Sequence, residues 1–302
     1  MNSAATDVAE KNSLEQAIQS LQEAENKLKI IVNEKYDAAV LSGDLPQAER
    51  FFKIFPLIGQ HEAGLDKIST YLCRQVVDAA NKNLQNALNT DKQDKRWNII
   101  FADTLILVFE TIAHIVEAHQ PLVETYYGHG RMFTFVKNIQ KECDKQVVRI
   151  LTEFRKQRKI DYLFKIIQQS MSQSISSIGD RIDPRDLDVL LAEITLINAR
   201  CELYLNFLRK RILSDIETSF PTKDSIEASE SLVKQKSHIE SFLNNCQLTC
   251  SIQELIGQYT IFEDYFMIEN INKAISMDTT PTDSLTSSIV DDVFFILKKC
   301  VR

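Results

Sequence analysis

The stretch IIFADTLILVFETIAHIVEAH, Ile99 to His119, decides the fold. As a helix from about Lys95 to His119 it is apolar almost all round, and its polar residues Asp103, Glu110 and Glu117 recur every seven residues. Seven residues make nearly two helical turns, so the three carboxylates form one thin wetted stripe. A helix with that pattern is central and packed on most sides. Asp103, Glu110 and His114 also interrupt the apolar run, so it falls short of a membrane span and a soluble chain is expected. Pro121 should end the helix, because proline lacks an N–H and its ring clashes one turn back. YYGHG, Tyr126 to Gly130, then reads as a tight turn.

The same periodicity extends in both directions. A helix starts near Arg131, with Phe133, Val136, Cys143, Val147, Ile150 and Phe154 at alternating spacings of three and four, and is expected to reach Ile167. Only Gln140 breaks its apolar set. Asp183-Pro184 starts another helix, with a capping carboxylate and proline at the first helical position. A helix from about Ser225 carries Leu232, Ile239, Phe242, Cys246 and Cys250, and Ser251–Glu254 is a capping box that can start the next. The last helix starts near Ser288. Ser170–Asp180, Ser219–Asp224 and Thr279–Asp283 read as loops.

Towards the N-terminus, a first helix covers about residues 6–42, with Leu14, Leu21 and Leu28 on a seven-residue repeat and Ile18 and Val32 beside them. So narrow a stripe on an otherwise polar helix suits a coiled-coil seam or the edge of a bundle, and is expected to pair with a helix of this chain or of another. Asp44 can cap a short helix with Pro46 in its first turn, ended near Phe55 by Pro56. A helix from about Glu62 to Leu88 follows. No segment alternates with period two. The expected fold is all-α: about eight long antiparallel helices in stacked bundles forming an elongated rod. Residues 1–43 form a coiled-coil-like N-terminal helix and residues 44–302 the helical-rod region.

Composition agrees. Only 7 Gly and 6 Pro punctuate 302 residues, so elements are few and long. Lys+Arg is 35 against Asp+Glu 42, a formal net charge of -7, which gives no global pull towards nucleic acid. The 6 cysteines are scattered and read as buried free thiols. MNSAATDVAEKN, residues 1–12, has neither the basic start nor the apolar core of a signal peptide.

Chemistry-bearing patterns fail one by one. His61-Glu62 lacks the second histidine of a zinc protease, since Leu65 holds that place. His114 and His119 point to different sides of a helix. Cys246 and Cys250 share a face without a second ligand pair. Gly128-His129-Gly130-Arg131 is a turn before a helix N-terminus, a place that can hold an anion. No phosphate loop or nucleophile elbow occurs. No catalytic, metal or cofactor site is expected. Candidate partner-binding residues are Leu14, Leu21 and Leu28 on the seam, and the basic cluster of Arg155, Lys156, Arg158 and Lys159. The cluster can meet anionic headgroups or an acidic partner helix. Arg209-Lys210-Arg211 is a second basic cluster, and either can simply be a solvated face near a helix end.

Five collinear segments carry a resemblance: GDLPQAERFFKIFPLIGQHEAGLDKISTYLCRQV from Gly43, IIFADTLILVFETIAHIVEAHQPLVETYYGHGR from Ile99, DPRDLDVLLAEITLINARCELYLNFLRKRI from Asp183, NNCQLTCSIQELIGQYTIFEDYFM from Asn244 and LTSSIVDDVFFILKKC from Leu285. Together they resemble the family of subunit 4 of the conserved oligomeric Golgi complex, a vesicle tether. The turn departs at His129, where the resemblance implies YYGPGR, which bears on its stiffness. The resemblance implies a non-enzymatic helical subunit, peripheral on the cytoplasmic face of the Golgi with a cytosolic pool. It implies a role in retrograde intra-Golgi transport that maintains glycosylation enzymes. Implied partners are sibling subunits, Golgi SNAREs, Sec1/Munc18-type regulators and Rab GTPases. Family members are considerably longer, so a partial chain missing both ends is expected. The competing readings are an adaptor from another tether and an enzyme with an unrecognised helical site.

Overall fold

A computed structural model describes residues 2–172, 182–220, 226–277 and 289–300. Among the described residues there are ten α-helices and no strand. They are α1 (Asn2–Ser42), α2 (Leu45–Phe52), α3 (His61–Leu88), α4 (Ile100–Tyr127), α5 (Met132–Gln157), α6 (Ile160–Ser172), α7 (Pro184–Ser219), α8 (Ile226–Asn244), α9 (Gln247–Met277) and α10 (Ile289–Cys300). Much of three expected loops, at residues 173–181, 221–225 and 278–288, lies outside the described residues.

The central helix is where its pattern put it. α4 packs against α3, α5 and α7, and Leu105, Val108, Ile112 and Val116 are buried. Its wetted side holds exposed Glu110, His114 and Glu117, with Asp103 half-buried. By length and composition alone Lys95–Tyr127 is apolar enough to cross a membrane, with a window of mean hydropathy 2.0, but half of that window is buried by neighbouring helices. A helix at the core of a bundle passes the same test, because both environments exclude water.

Pro121 does not end α4, which continues through it to Tyr127. Interior proline costs about 3 kcal/mol. The added turns bury Val123 and Tyr127, and the Tyr127 ring stacks on Phe52 at 4.5 Å while its hydroxyl donates to the Phe52 carbonyl at 2.7 Å. Burial of a large side chain is worth about 1.5–3 kcal/mol, so the two together offset the break.

The helix expected from Arg131 to Ile167 is two helices. α5 stops at Gln157, Lys159 adopts φ 53°, and α6 starts at Ile160. A left-handed lysine costs about 1–2 kcal/mol. The break buries Ile160 and lets Arg158 reach Glu193 of α7 at 2.7 Å. It also adds one helix to the number expected. The capping box at Ser251 is likewise not a helix start: α9 begins four residues earlier, at Gln247.

The start signals near the N-terminus hold. Asp44 accepts from the Gln47 N–H at 3.0 Å, with Pro46 in the first turn of α2. A 3-10 turn, Phe55–Ile58, contains Pro56 and ends at Gly59, whose φ of 71° favours glycine. α3 then restarts the chain. Gly64 in its first turn lies under Phe55 and Tyr127, where an added Cβ would sit 2.7 Å from Phe55 Cβ and against the Tyr127 hydroxyl. At the far end, Asp183 accepts from the Arg185 N–H at 2.9 Å and caps α7.

Three helices receive a carboxylate from a distant helix at their N-terminal end, and two of them, α4 and α5, have no local side-chain cap. Glu193 of α7 accepts from the Phe101 N–H at the start of α4, 3.2 Å away. Asp215 of α7 accepts from the Gly130 and Met132 N–H groups at the start of α5, both 2.9 Å. Asp144 of α5 accepts from the Gln247 and Leu248 N–H groups at the start of α9, at 3.3 and 3.1 Å. Each satisfies orphan donors and places negative charge at a positive helix end.

Two consequences are measurable by urea unfolding. Gly64→Ala should lower stability by about 1–3 kcal/mol through overpacking, although alanine is the better helix former. An unchanged midpoint would mean that the α2–α3 joint simply opens. Arg158→Met should cost about 3–5 kcal/mol, because it strands the buried Glu193 carboxylate. Arg158→Met with Glu193→Gln should recover most of that loss, since glutamine is neutral and still accepts from Phe101. Equal losses in the single and double variants would refute this account.

Candidate interaction surface

The leucine seam stands clear of the bundle. From Leu14 to Ile31 every side chain except Lys29 is exposed, including Leu14 at 61%, Leu21 at 70% and Leu28 at 46%. Glu25 and Lys29 pair at 2.6 Å on the same stretch, an i,i+4 pair that supports the helix locally. α1 enters the core only from Val32, through buried Tyr36 and Ala39. Tyr36 meets Phe55 edge-on at 5.5 Å, and Asp37 bridges to Lys67 of α3 at 2.6 Å. At about 1.5 Å per residue, Leu14 to Ile31 presents an apolar seam on the order of 25 Å long that no other described residue covers.

The basic cluster is divided by the break after α5. Arg158 turns inward: its guanidinium pairs with Glu193, donates to the Trp97 carbonyl and lies 4.7 Å over the Trp97 ring. Burial pushes the Glu193 carboxyl up, against the opposing pull of Arg158. Arg155 is held by Asp161 and by Glu254 of α9, both at 3.0 Å. Lys156 and Lys159 remain on the surface, Lys156 at 73% exposed. The second cluster is divided too. Arg209 pairs with Glu240 of α8 at 2.9 Å and Arg211 with Glu117 of α4, so two of its three charges hold helices together.

Other sequence features find structural roles. His61 opens α3 and packs edge-on to Tyr127 at 6.1 Å. His119 is buried, with Nδ1 2.8 Å from the Ile115 carbonyl, while His114 is exposed. Cys143, Cys201 and Cys246 are buried, but Cys73 is only half-buried and Cys250 is exposed, so the buried-thiol expectation does not extend to all of them. Burial pushes the Cys73 thiol up to about 11 and that of Cys201 to about 12, leaving little nucleophilic thiolate near neutral pH. Gln140, the one polar residue in the α5 stripe, is fully buried. It accepts from the Tyr204 hydroxyl at 2.7 Å and donates to Asp144 at 2.8 Å, which joins α7, α5 and the α9 cap in one polar chain.

Sequence reasoning did not find Asp144, Glu193 or Asp215. Their signal was present as carboxylates set inside apolar stripes, beside Cys143, Ile194 and Ile216. The turn at Gly128–Gly130, which by sequence can hold an anion, already receives one from within: the Asp215 carboxylate.

The family model described as COG4 transport protein, middle alpha-helical bundle, matches residues 50–302, from within α2 to the last residue. The chain is 53% identical over 281 residues to the protein named conserved oligomeric Golgi complex subunit 4 in Bos taurus and in Homo sapiens, covering 93% of this chain and 35% of each relative. The protein of the same name in Drosophila melanogaster is 36% identical over 312 residues, covering 96% of this chain and 39% of the relative. This chain therefore spans little more than a third of the length of these relatives. No solved structure matches it. The all-helical bundle fits the family's description, and on that agreement and the extent of the match the chain belongs to the COG4 transport protein family, of which it carries the middle α-helical bundle.

Proposed function

We propose that this chain is a non-catalytic scaffold segment of a subunit of a Golgi multisubunit tethering complex. In that role it supports capture of vesicles in retrograde intra-Golgi transport, and thereby maintains glycosylation enzymes. Its relatives are named as subunits of an oligomeric Golgi complex, which supports assembly with sibling subunits. The observation that carries the reading is the seam on α1. Leu14, Leu21 and Leu28 recur with heptad spacing on a helix that buries nothing there, and such a seam reaches stability by pairing with another helix. Its occupant is a helix of a sibling subunit. On this reading residues 1–43 are the assembly arm and residues 44–302 the supporting bundle.

The basic residues have a smaller part. Lys156 and Lys159 offer charge to an acidic partner helix or to the cytoplasmic face of the Golgi membrane, where the complex is peripheral. Arg155 and Arg158 contribute by fixing the chain that presents them. Golgi SNAREs, Sec1/Munc18-type regulators and Rab GTPases are the proposed further partners, engaged by the assembled complex.

Leu21→Glu with Leu28→Glu tests the arm. Both side chains are exposed, so the thermal midpoint of the isolated chain should change by no more than about 0.5 kcal/mol equivalent. Co-purification from cells of the longer protein carrying this chain should recover the other subunits of the Golgi complex, and the double variant should lose them. Recovery undiminished in the variant would remove the seam from the proposal. Subunits of a different tether in the wild-type sample would overturn the assignment itself.

A further inference from the structure

Asp215 has one oxygen too many for its surroundings. Its side chain is fully buried, and Oδ2 accepts from the Gly130 and Met132 N–H groups at 2.9 Å. Oδ1 is also buried and has no hydrogen-bond partner. A buried carboxylate oxygen without a hydrogen-bond donor is costly. Oδ1 faces Nδ1 of His129 at 3.5 Å. Glu124 completes a group in which one ligand atom from each of the three residues lies within 4.8 Å of the others. They come from three places in the fold: the last turn of α4, the α4–α5 turn and the C-terminal part of α7.

We propose that Glu124, His129 and Asp215 form a site for a divalent transition-metal ion of the zinc class, which ties the α4–α5 turn to α7. Two carboxylates carry two negative charges, a neutral imidazole none, and a divalent cation balances them. Donors on a tetrahedral zinc with bonds of about 2.0–2.1 Å lie about 3.4 Å apart, close to the spacing of His129 and Asp215. The imidazole favours zinc over magnesium or calcium, which take oxygen ligands.

The surroundings orient the ligands as metal sites require. The two backbone N–H groups hold Asp215 by Oδ2 and leave Oδ1 for the ion. Gln120 donates to Glu124 Oε1 at 2.6 Å, which leaves Oε2. Arg211, one turn before Asp215 on α7, is engaged by Glu117 and does not supply the missing charge. His129 is 45% exposed, which gives an ion a path in and room for water as a fourth ligand. Sequence spacing hides the site, because Asp215 lies far along the chain from the other two.

Equilibrium dialysis of the 302-residue chain against ZnCl2 tests this. The wild type should retain one zinc per chain, and Co2+ in its place should show the visible bands of a low-coordinate site. His129→Ala and Glu124→Gln should each weaken zinc binding by more than about tenfold, since even an outer-shell partner is worth that much. Neither side chain caps α5, so both variants should keep wild-type helix content by circular dichroism. Zinc should raise the thermal midpoint of the wild type and not of the variants. Zinc retained equally by wild type and variants would place it elsewhere, at exposed Cys250 for example, and overturn the proposal. No zinc retained, or displacement by an equal concentration of MgCl2, would overturn it as well.

Discussion

A long helix in a bundle has free backbone N–H groups at one end, and in this chain three of those ends are closed by carboxylates from other helices. Glu193 serves α4, Asp215 serves α5 and Asp144 serves α9. Apolar packing alone allows helices to slide along one another, since one leucine ridge fits several grooves. A carboxylate that must meet particular N–H groups at a helix start restricts the axial position, most tightly where it meets two, as Asp215 and Asp144 do. The caps therefore set the register in which the apolar stripes of α4, α5, α7 and α9 interlock. The hydrophobic contacts then supply most of the stability.

The polar joints are connected to one another. Glu193 takes Arg158, which fixes the break between α5 and α6 and covers Trp97. Asp144 takes Gln140, which takes Tyr204, whose ring stacks on Phe109 at 4.4 Å. The aromatic joint at the other end works by contact. Phe52, Phe55 and Tyr127 close over Gly64, and only a residue without Cβ allows α3 to approach that closely. This joint sets where α1 leaves the bundle.

The basic residues divide between the bundle and the surface. Inside the bundle most of the weighed basic residues are spent on helix pairs, as Arg155, Arg158, Arg209 and Arg211 show. The exposed surface includes the α1 seam and Lys156 and Lys159, together with apolar side chains elsewhere such as Leu203, Phe294 and Phe295.

The sequence by itself determined the all-helical class, the central position of α4 and the caps at Asp44 and Asp183; it showed the heptad spacing of Leu14, Leu21 and Leu28, and the structure that the stripe is exposed. What the sequence determined follows from periodicity and from residues within a turn of each other, where the physics is local. The sequence also carried the family resemblance. The continuation of α4 past Pro121 was decided by the tertiary structure, because burial of Tyr127 outweighs a local break. So was the left-handed Lys159, which serves a contact with α7. The start of α9 at Gln247 and the grouping of Glu124, His129 and Asp215 depend on residues up to about a hundred positions away. Periodicity carries no information about which distant carboxylate meets which helix end. Only the packing of the bundle chooses it.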